Sequence, residues 1–251
     1  MRLDGRVVVV TGGAQGIGLA TVTRAGSIGA TVISLDLDAG ANERARVGRS
    51  TSDVVFLDVD ITDEAQVAAA LSQVIDQQGG IDGLVNNAGR NSNGEATTMT
   101  VGEWDSVFDV DLKAAWLCAK HVLPSMQAQG RGSIVNVASV HARMTAQGFF
   151  PYAAAKAGLV GLTRSLALDY GPRGVRVNAV SPGYTRTKLV DQYLERVGIE
   201  EAERIDSVHP LRRIGEPAEV AAVICFLLCD AAAFVTAADW VVDGGLSARF
   251  A

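Results

Sequence analysis

The chain has 251 residues, 48% of them hydrophobic and 20% charged, and a formal net charge of −6. That length and balance suit one α/β domain with a sizeable core. The acidic balance excludes nucleic acid as the main partner, because phosphate backbones select basic surfaces. Three cysteines, Cys118, Cys225 and Cys229, show no CxxC or zinc-knuckle spacing, and no HExxH or clustered histidine set is present. They read as small buried hydrophobes in a reducing setting, and no catalytic metal is expected. The most apolar segment, residues 220–229, is too short to span a bilayer, so a soluble, cytoplasmic protein without membrane partners is expected.

In chain order, short β-branched runs alternate with helical patterns. Strands are predicted at 6–12, 31–36, 53–59, 81–89, 132–139, 175–183 and 239–245, with helices between them, for example over 16–29, 62–79 and 100–130. Continuous apolar strands imply burial on both faces. The pattern therefore predicts one doubly wound α/β domain over 1–251, a parallel sheet of about seven strands with helices on both faces. Residues 184–213 break the rhythm with helical fragments among charges and no strand, which predicts a substrate-binding lid.

Two motifs point to a dinucleotide. The first strand runs into "TGGAQGIG", where Gly12, Gly16 and Gly18 permit a tight turn, and Gln15 and Ile17 complete the approach to a helix N-terminus. Such a terminus offers free N–H groups and a positive dipole end to phosphates. Asp36 ends the second strand, where a carboxylate accepts from both ribose hydroxyls of NAD and repels the 2′-phosphate of NADP. No arginine follows it in "LDLDAG".

A third motif, "FPYAAAK", places Tyr152 and Lys156 one helical turn apart among alanines. Alone, that pair reads as an exposed helix face. In company it reads otherwise. "TGGAQGIG", the acidic residue after strand two, "DV" at 58–59, "NNAG" at 86–89, a serine thirteen residues before "YAAAK", and "SPGYTRT" follow in order along almost the whole chain. By these motifs the sequence resembles the classical short-chain dehydrogenase/reductase family, with its Rossmann-type fold.

The resemblance implies roles. Asp58 and Val59 would contact the adenine. Asn86, Ala88 and Gly89 would line the cofactor and steady the central strand. Pro182, Gly183, Thr185 and Thr187 would hold the nicotinamide carboxamide. Ser139, Tyr152 and Lys156 would be catalytic, Tyr152 and Lys156 also touching the cofactor. A phenol ordinarily titrates near ~10, too high for a base at neutral pH, and a neighbouring ammonium favours the phenolate. Serine would hold the substrate oxygen.

One position departs from the pattern. Where the family usually carries a catalytic asparagine, "FDVDLKAAW" has Asp111. By helical spacing it falls on an apolar stripe with Trp104, Val107, Phe108, Leu112, Ala115 and Ala119. A buried carboxylate needs a partner, and a link to Lys156 through a water is expected. Around the mouth, His141, Arg143, Asn91 and Tyr184 are candidate substrate contacts beside Ser139 and Tyr152, implying a polar pocket. The segment around "SVHA" and "YAAAK" looks most like the family's NAD-dependent sugar 1-dehydrogenases. The activity implied is hydride transfer between NAD and a secondary alcohol or sugar hydroxyl. Reduction of a keto acid, 3-oxoacyl group or cyclic ketone, and a non-catalytic NAD-binding protein, are the alternatives. The smooth face of Ala153, Ala154, Ala157, Gly158 and Gly161, with the family's habits, implies a homotetramer.

Overall fold

A computed structural model describes residues 1–46 and 54–249. Asp53, expected to open the third strand, lies outside the described residues. The strands are β1 (Val7–Thr11), β2 (Thr31–Asp36), β3 (Val54–Asp58), β4 (Gly83–Asn86), β5 (Gly132–Val137), β6 (Val175–Pro182) and β7 (Asp239–Val242). They form one sheet in the order β3-β2-β1-β4-β5-β6-β7, and every neighbouring pair is parallel. The chain starts at the centre, winds outward to β3, and returns to the centre at β4. The direction of winding therefore reverses between β1 and β4, where connections diverge and leave a crevice beyond the strand ends.

The helices are α1 (Gly16–Ser27), α2 (Ala39–Arg46), α3 (Glu64–Gln78), α4 (Val101–Phe108), α5 (Ala114–Gln129), α6 (Phe150–Tyr170), α7 (Lys188–Val197), α8 (Ile199–Val208) and α9 (Pro217–Leu228). β1 explains why both faces are covered. Val7 and Val9 enter a cluster with Val67, Leu71 and Val74 of α3 and Cys118, Val122 and Met126 of α5. Val8 and Val10 enter a second cluster with Val22 and Ala25 of α1 and Val220 and Ile224 of α9. Alternate side chains of a strand point to opposite faces, so four consecutive valines need a layer on each side. All three cysteines are free and buried.

Local signals set the helix ends. Asp63 caps α3 by accepting from the Ala65 and Gln66 amides, and Gly79 stops it at φ +79°. Thr100 and Glu103 close a capping box on α4. The path from α4 to α5 is not the regular helix expected from the spacing. A π turn, Asp109–Lys113, joins them. The wider turn shifts the face each later residue presents. Asp111, within it, is turned fully inward, while Trp104, before it on α4, stays 38% exposed.

Residues 184–213 contain α7 and α8 and no strand. A single parallel bridge, Thr185 to Gly215, joins the two ends of this excursion. The Arg186 amide donates to Gly215 O (2.8 Å) and the Gly215 amide to Tyr184 O (2.9 Å). Among the described residues no helix is long and apolar enough to cross a membrane.

Candidate active site and dinucleotide groove

A groove of about 580 Å³ lies over the crevice between β1 and β4. Its floor is the glycine-rich turn. Gly16 has φ +53°, and a Cβ there would sit 3.2 Å from Thr187 Cγ2 on the opposite wall. A Cβ on Gly18 would lie 2.0 Å from the Gly12 carbonyl oxygen, so only glycine lets α1 approach the turn this closely. Asn87 clasps the turn from β4, its Nδ2 donating to Thr11 O and Gly12 O at 3.0 Å each. Gln15, the residue before α1, makes no side-chain cap, so the first-turn amides face the groove without one.

Asp36 stands at the far end of the same groove. Its Oδ2 accepts from the Ala14 amide and its Oδ1 from the Asp38 amide, both at 3.1 Å. Each oxygen keeps a lone pair for a ligand hydroxyl. An uncapped helix start, a turn that a Cβ would fill, and a carboxylate beyond them match the diphosphate and ribose of a dinucleotide.

The other expected cofactor residues divide. Val59, Ala88, Gly89 and Thr187 line the groove with Gly12, Gln15, Gly16 and Ile17. Asp58, expected at the adenine, accepts from Asn42 Nδ2 at 2.5 Å through Oδ1. Asn86 is buried between strands, its Nδ2 donating to Asn136 Oδ1 (2.8 Å) and Ala115 O (3.3 Å). It steadies the sheet and does not face the groove. Thr185 is buried at the bridge and donates to Gly183 O (3.2 Å), while Gly183 abuts Asp243. Thr187 caps α7 by accepting from the Val190 amide. Asn87, Ile61, Thr62 and Lys188 also line the groove and escaped the sequence reading. The second asparagine of "NNAG" was the available signal for Asn87.

Where the groove passes Gly89, the chain carries a buried ion pair. Lys156 Nζ lies 3.0 Å from Asp111 Oδ1, with the two side chains 4% and 0% exposed. The expected link through a water is therefore replaced by direct contact, because the π turn carries Asp111 up to α6. Lys156 also donates to Val137 O (3.1 Å), and the Arg90 amide donates to both oxygens of Asp111 (3.3 and 3.4 Å). A Cβ on Gly89 would come within 2.7 Å of Asp111 Oδ1 and 3.2 Å of Lys156 Nζ. Burial raises the Asp111 carboxyl above its ordinary range, against the pull of Lys156 and the Arg90 amide. Burial opposes the Lys156 ammonium, but the Asp111 carboxylate and the Tyr152 phenol outweigh it and raise its pKa.

Tyr152 sits in the first turn of α6, its ring centroid 5.6 Å from Lys156 Nζ. Ser139, at the end of β5, is buried and accepts from the His141 amide (3.2 Å). The His141 ring meets Tyr152 edge-on at 5.5 Å and stacks on Phe149 at 4.7 Å, with Nδ1 2.9 Å from Thr145 Oγ1. Burial lowers its pKa, which favours the neutral ring.

An aromatic cluster joins α4 to the start of α6. Trp104 stacks between Phe108 (4.4 Å) and Phe150 (6.0 Å). Arg143, expected at the substrate, turns away. Its guanidinium donates to Asp239 Oδ2 (3.0 Å) and Asp239 O (3.4 Å) on β7. Arg90 donates to Ser106 Oγ, Asn91 is exposed, and Tyr184 packs edge-on against buried His209 at 5.9 Å.

A family model described as "Enoyl-(Acyl carrier protein) reductase" matches residues 12–247. Levodione reductase of Leifsonia aquatica is 37% identical over 99% of this chain and 97% of its own length. The chain belongs to the classical short-chain dehydrogenase/reductase family. Within that family, cis-4-hydroxycyclohexanecarboxylate dehydrogenase of Sinomonas cyclohexanicum is 41% identical over 97% of each chain. The solved structure of Thermoplasma acidophilum aldohexose dehydrogenase superposes with a TM-score of 0.91 at 35% identity, covering 99% of this chain and 96% of that one. As a short-chain dehydrogenase/reductase the protein is an oxidoreductase of hydroxyl and keto groups, and family members use NAD(P).

Proposed function

We propose that the protein moves a hydride between NAD and a ring-bearing secondary alcohol or sugar hydroxyl, with Tyr152 as the acid/base. The observation that carries this reading is the run of contacts from Ser139 through His141, Tyr152 and Lys156 to Asp111, set beside the glycine-rich groove. Bound NAD supplies the hydride acceptor. Tyr152 takes the hydroxyl proton of the alcohol, or returns it to the ketone oxygen in the reverse direction. Ser139 donates its hydroxyl hydrogen to that oxygen and stabilises the charge that develops there. Lys156 holds a charge beside the phenol and reaches the groove at Gly89. The wall of Trp104, Phe108, Phe149 and Phe150 supports a ring substrate, whose C–H face stacks on aromatic surface. Relatives named for cis-4-hydroxycyclohexanecarboxylate and aldohexose support the same choice. The pinned excursion of α7 and α8 acts as the lid over it.

Asp36 supports NAD over NADP, since a carboxylate at the ribose end of the groove repels a 2′-phosphate and the next residues, Leu37 and Asp38, offer it no cation. NAD should be preferred in kcat/KM by roughly 100-fold or more, and Asp36→Ser should narrow that ratio at least about tenfold, each factor of ten being about 1.4 kcal/mol of lost discrimination. NADH absorbance on mixing with aldoses, cyclic alcohols and cyclic ketones tests the whole reading. Tight NAD binding without turnover of any of them would replace it with a non-catalytic dinucleotide-binding role.

The protein is further proposed to be a cytoplasmic homotetramer. Trp116 on α5, Leu168 on α6, and Phe234 with Trp240 at the β7 edge stay exposed in the single chain, at 45%, 75%, 105% and 36%. Apolar surface of this kind calls for a covering partner. Sedimentation should give four chains, and a monomer would refute the assembly.

A further inference from the structure

Lysine has three N–H donors and no acceptor. In Lys156 one donor is directed to Asp111 Oδ1 and one to Val137 O, which leaves a single N–H for the groove side of the site. The carboxylate that takes the first is itself held by the Arg90 amide, in space that a Cβ on Gly89 would fill. A neutral amide at position 111 could accept the same hydrogen bond, yet it would leave the ammonium charge uncancelled. Asp111 cancels it at 3.0 Å, inside a region where neither partner is reached by solvent.

We infer that Asp111 is a positioning residue which, by neutralising Lys156, weakens the ammonium's hold on a Tyr152 phenolate and so poises the site for proton donation, that is, for ketone reduction. The inference rests on the reading of Tyr152 as the acid/base. The charged and titratable groups facing this centre are few. Lys156 and Tyr152 come from α6, Asp111 from the π turn, and His141 from the turn after β5. The loop after β4 contributes only the Arg90 amide, because the Arg90 guanidinium is turned to Ser106. His141 is held toward its neutral form by burial. The phenol thus faces one ion pair of no net charge and one neutral imidazole. Reduction consumes a proton from the phenol, while oxidation needs the phenolate. A weaker hold on the phenolate favours the first.

Ultraviolet titration of phenolate absorption in cofactor-free protein, parent minus Tyr152→Phe, isolates the phenol at position 152. The same difference in an Asp111→Asn background should have its midpoint about one pH unit lower, the size of effect a single unscreened charge has on a near neighbour. The alkaline limb of ketone reduction should move down with it. Asp111→Glu, which keeps the charge, should stay near the parent. If Asp111→Asn does not fold, Asp111→Ser carries the same expectation, since it too removes the charge. A midpoint that is unmoved, or raised, overturns the inference. A Tyr152→Phe protein that still turns over would instead remove the acid/base reading beneath it, so the two failures are told apart.

Discussion

Tyr152→Phe will leave a folded protein that binds NAD and turns over at least about a thousandfold more slowly, the range over which a positioned acid/base accelerates proton transfer. The side chain is half-buried in the first turn of α6. Its ring meets His141 edge-on and lies against Lys156 Nζ. Phenylalanine keeps both, so the loss is confined to the hydroxyl. Thermal stability should therefore change by no more than about 0.5 kcal/mol, as for substitutions that disturb no packing. NAD affinity, read by fluorescence or calorimetry, should move far less than kcat. A variant that retains a tenth or more of parental kcat would show that another group moves the proton, and His141, 5.5 Å away, would be the first to test.

Gly18→Ala will abolish productive dinucleotide binding and destabilise the fold. The new methyl would lie 2.0 Å from the Gly12 carbonyl oxygen and 2.5 Å from Asn87 Nδ2. The first sets a Cβ whose position the backbone fixes against a main-chain oxygen, so no side-chain rotation relieves it. Either α1 lifts from the turn or the turn opens, and both displace the uncapped amides that face the groove. Overpacking of this kind costs roughly 1–3 kcal/mol, worth about 2–4 °C of Tm per kcal/mol in a chain of this size. Affinity for ADP-ribose should fall at least about tenfold, or 1.4 kcal/mol. Gly26→Ala is the matched control on the same helix. Its Cβ would meet Val54 Cγ2 at 3.6 Å, an ordinary contact. That substitution should stabilise by about 0.5–1 kcal/mol through helix propensity alone. Equal effects at the two positions would mean that helix propensity, not the close approach, governs this segment.

The seven strands were legible because each is a short apolar run bounded by turn residues, and because β1 is valine on both faces. The glycine-rich turn was legible for a similar reason, since its chemistry lies within eight consecutive residues. What escaped is non-local. Arg143 finds Asp239 96 positions away, and no local pattern distinguishes an arginine facing a substrate from one facing a sheet edge. Asp58 is engaged by Asn42 across a connection with no periodic signal. The π turn was invisible because periodicity arguments assume a constant turn, and "FDVDLK" reads equally well as regular helix. That one extra residue per turn is what converts an expected remote link between Asp111 and Lys156 into direct contact. The stacking of Phe150 on Trp104 was likewise hidden, since α4 and α6 meet only in the fold.

The bridge between Thr185 and Gly215 makes the excursion it closes a cassette. Its two ends are tied to each other, and Arg186 adds a second tie to Glu216 at 3.2 Å, so the sheet does not register what is strung between them. Because the entropy of closing a loop grows only slowly with its length, a longer or shorter insert between fixed ends costs little. A segment transplanted from a relative with another substrate would therefore inherit a ready-made anchorage, leaving the dinucleotide groove and the buried ion pair as an unaltered chassis.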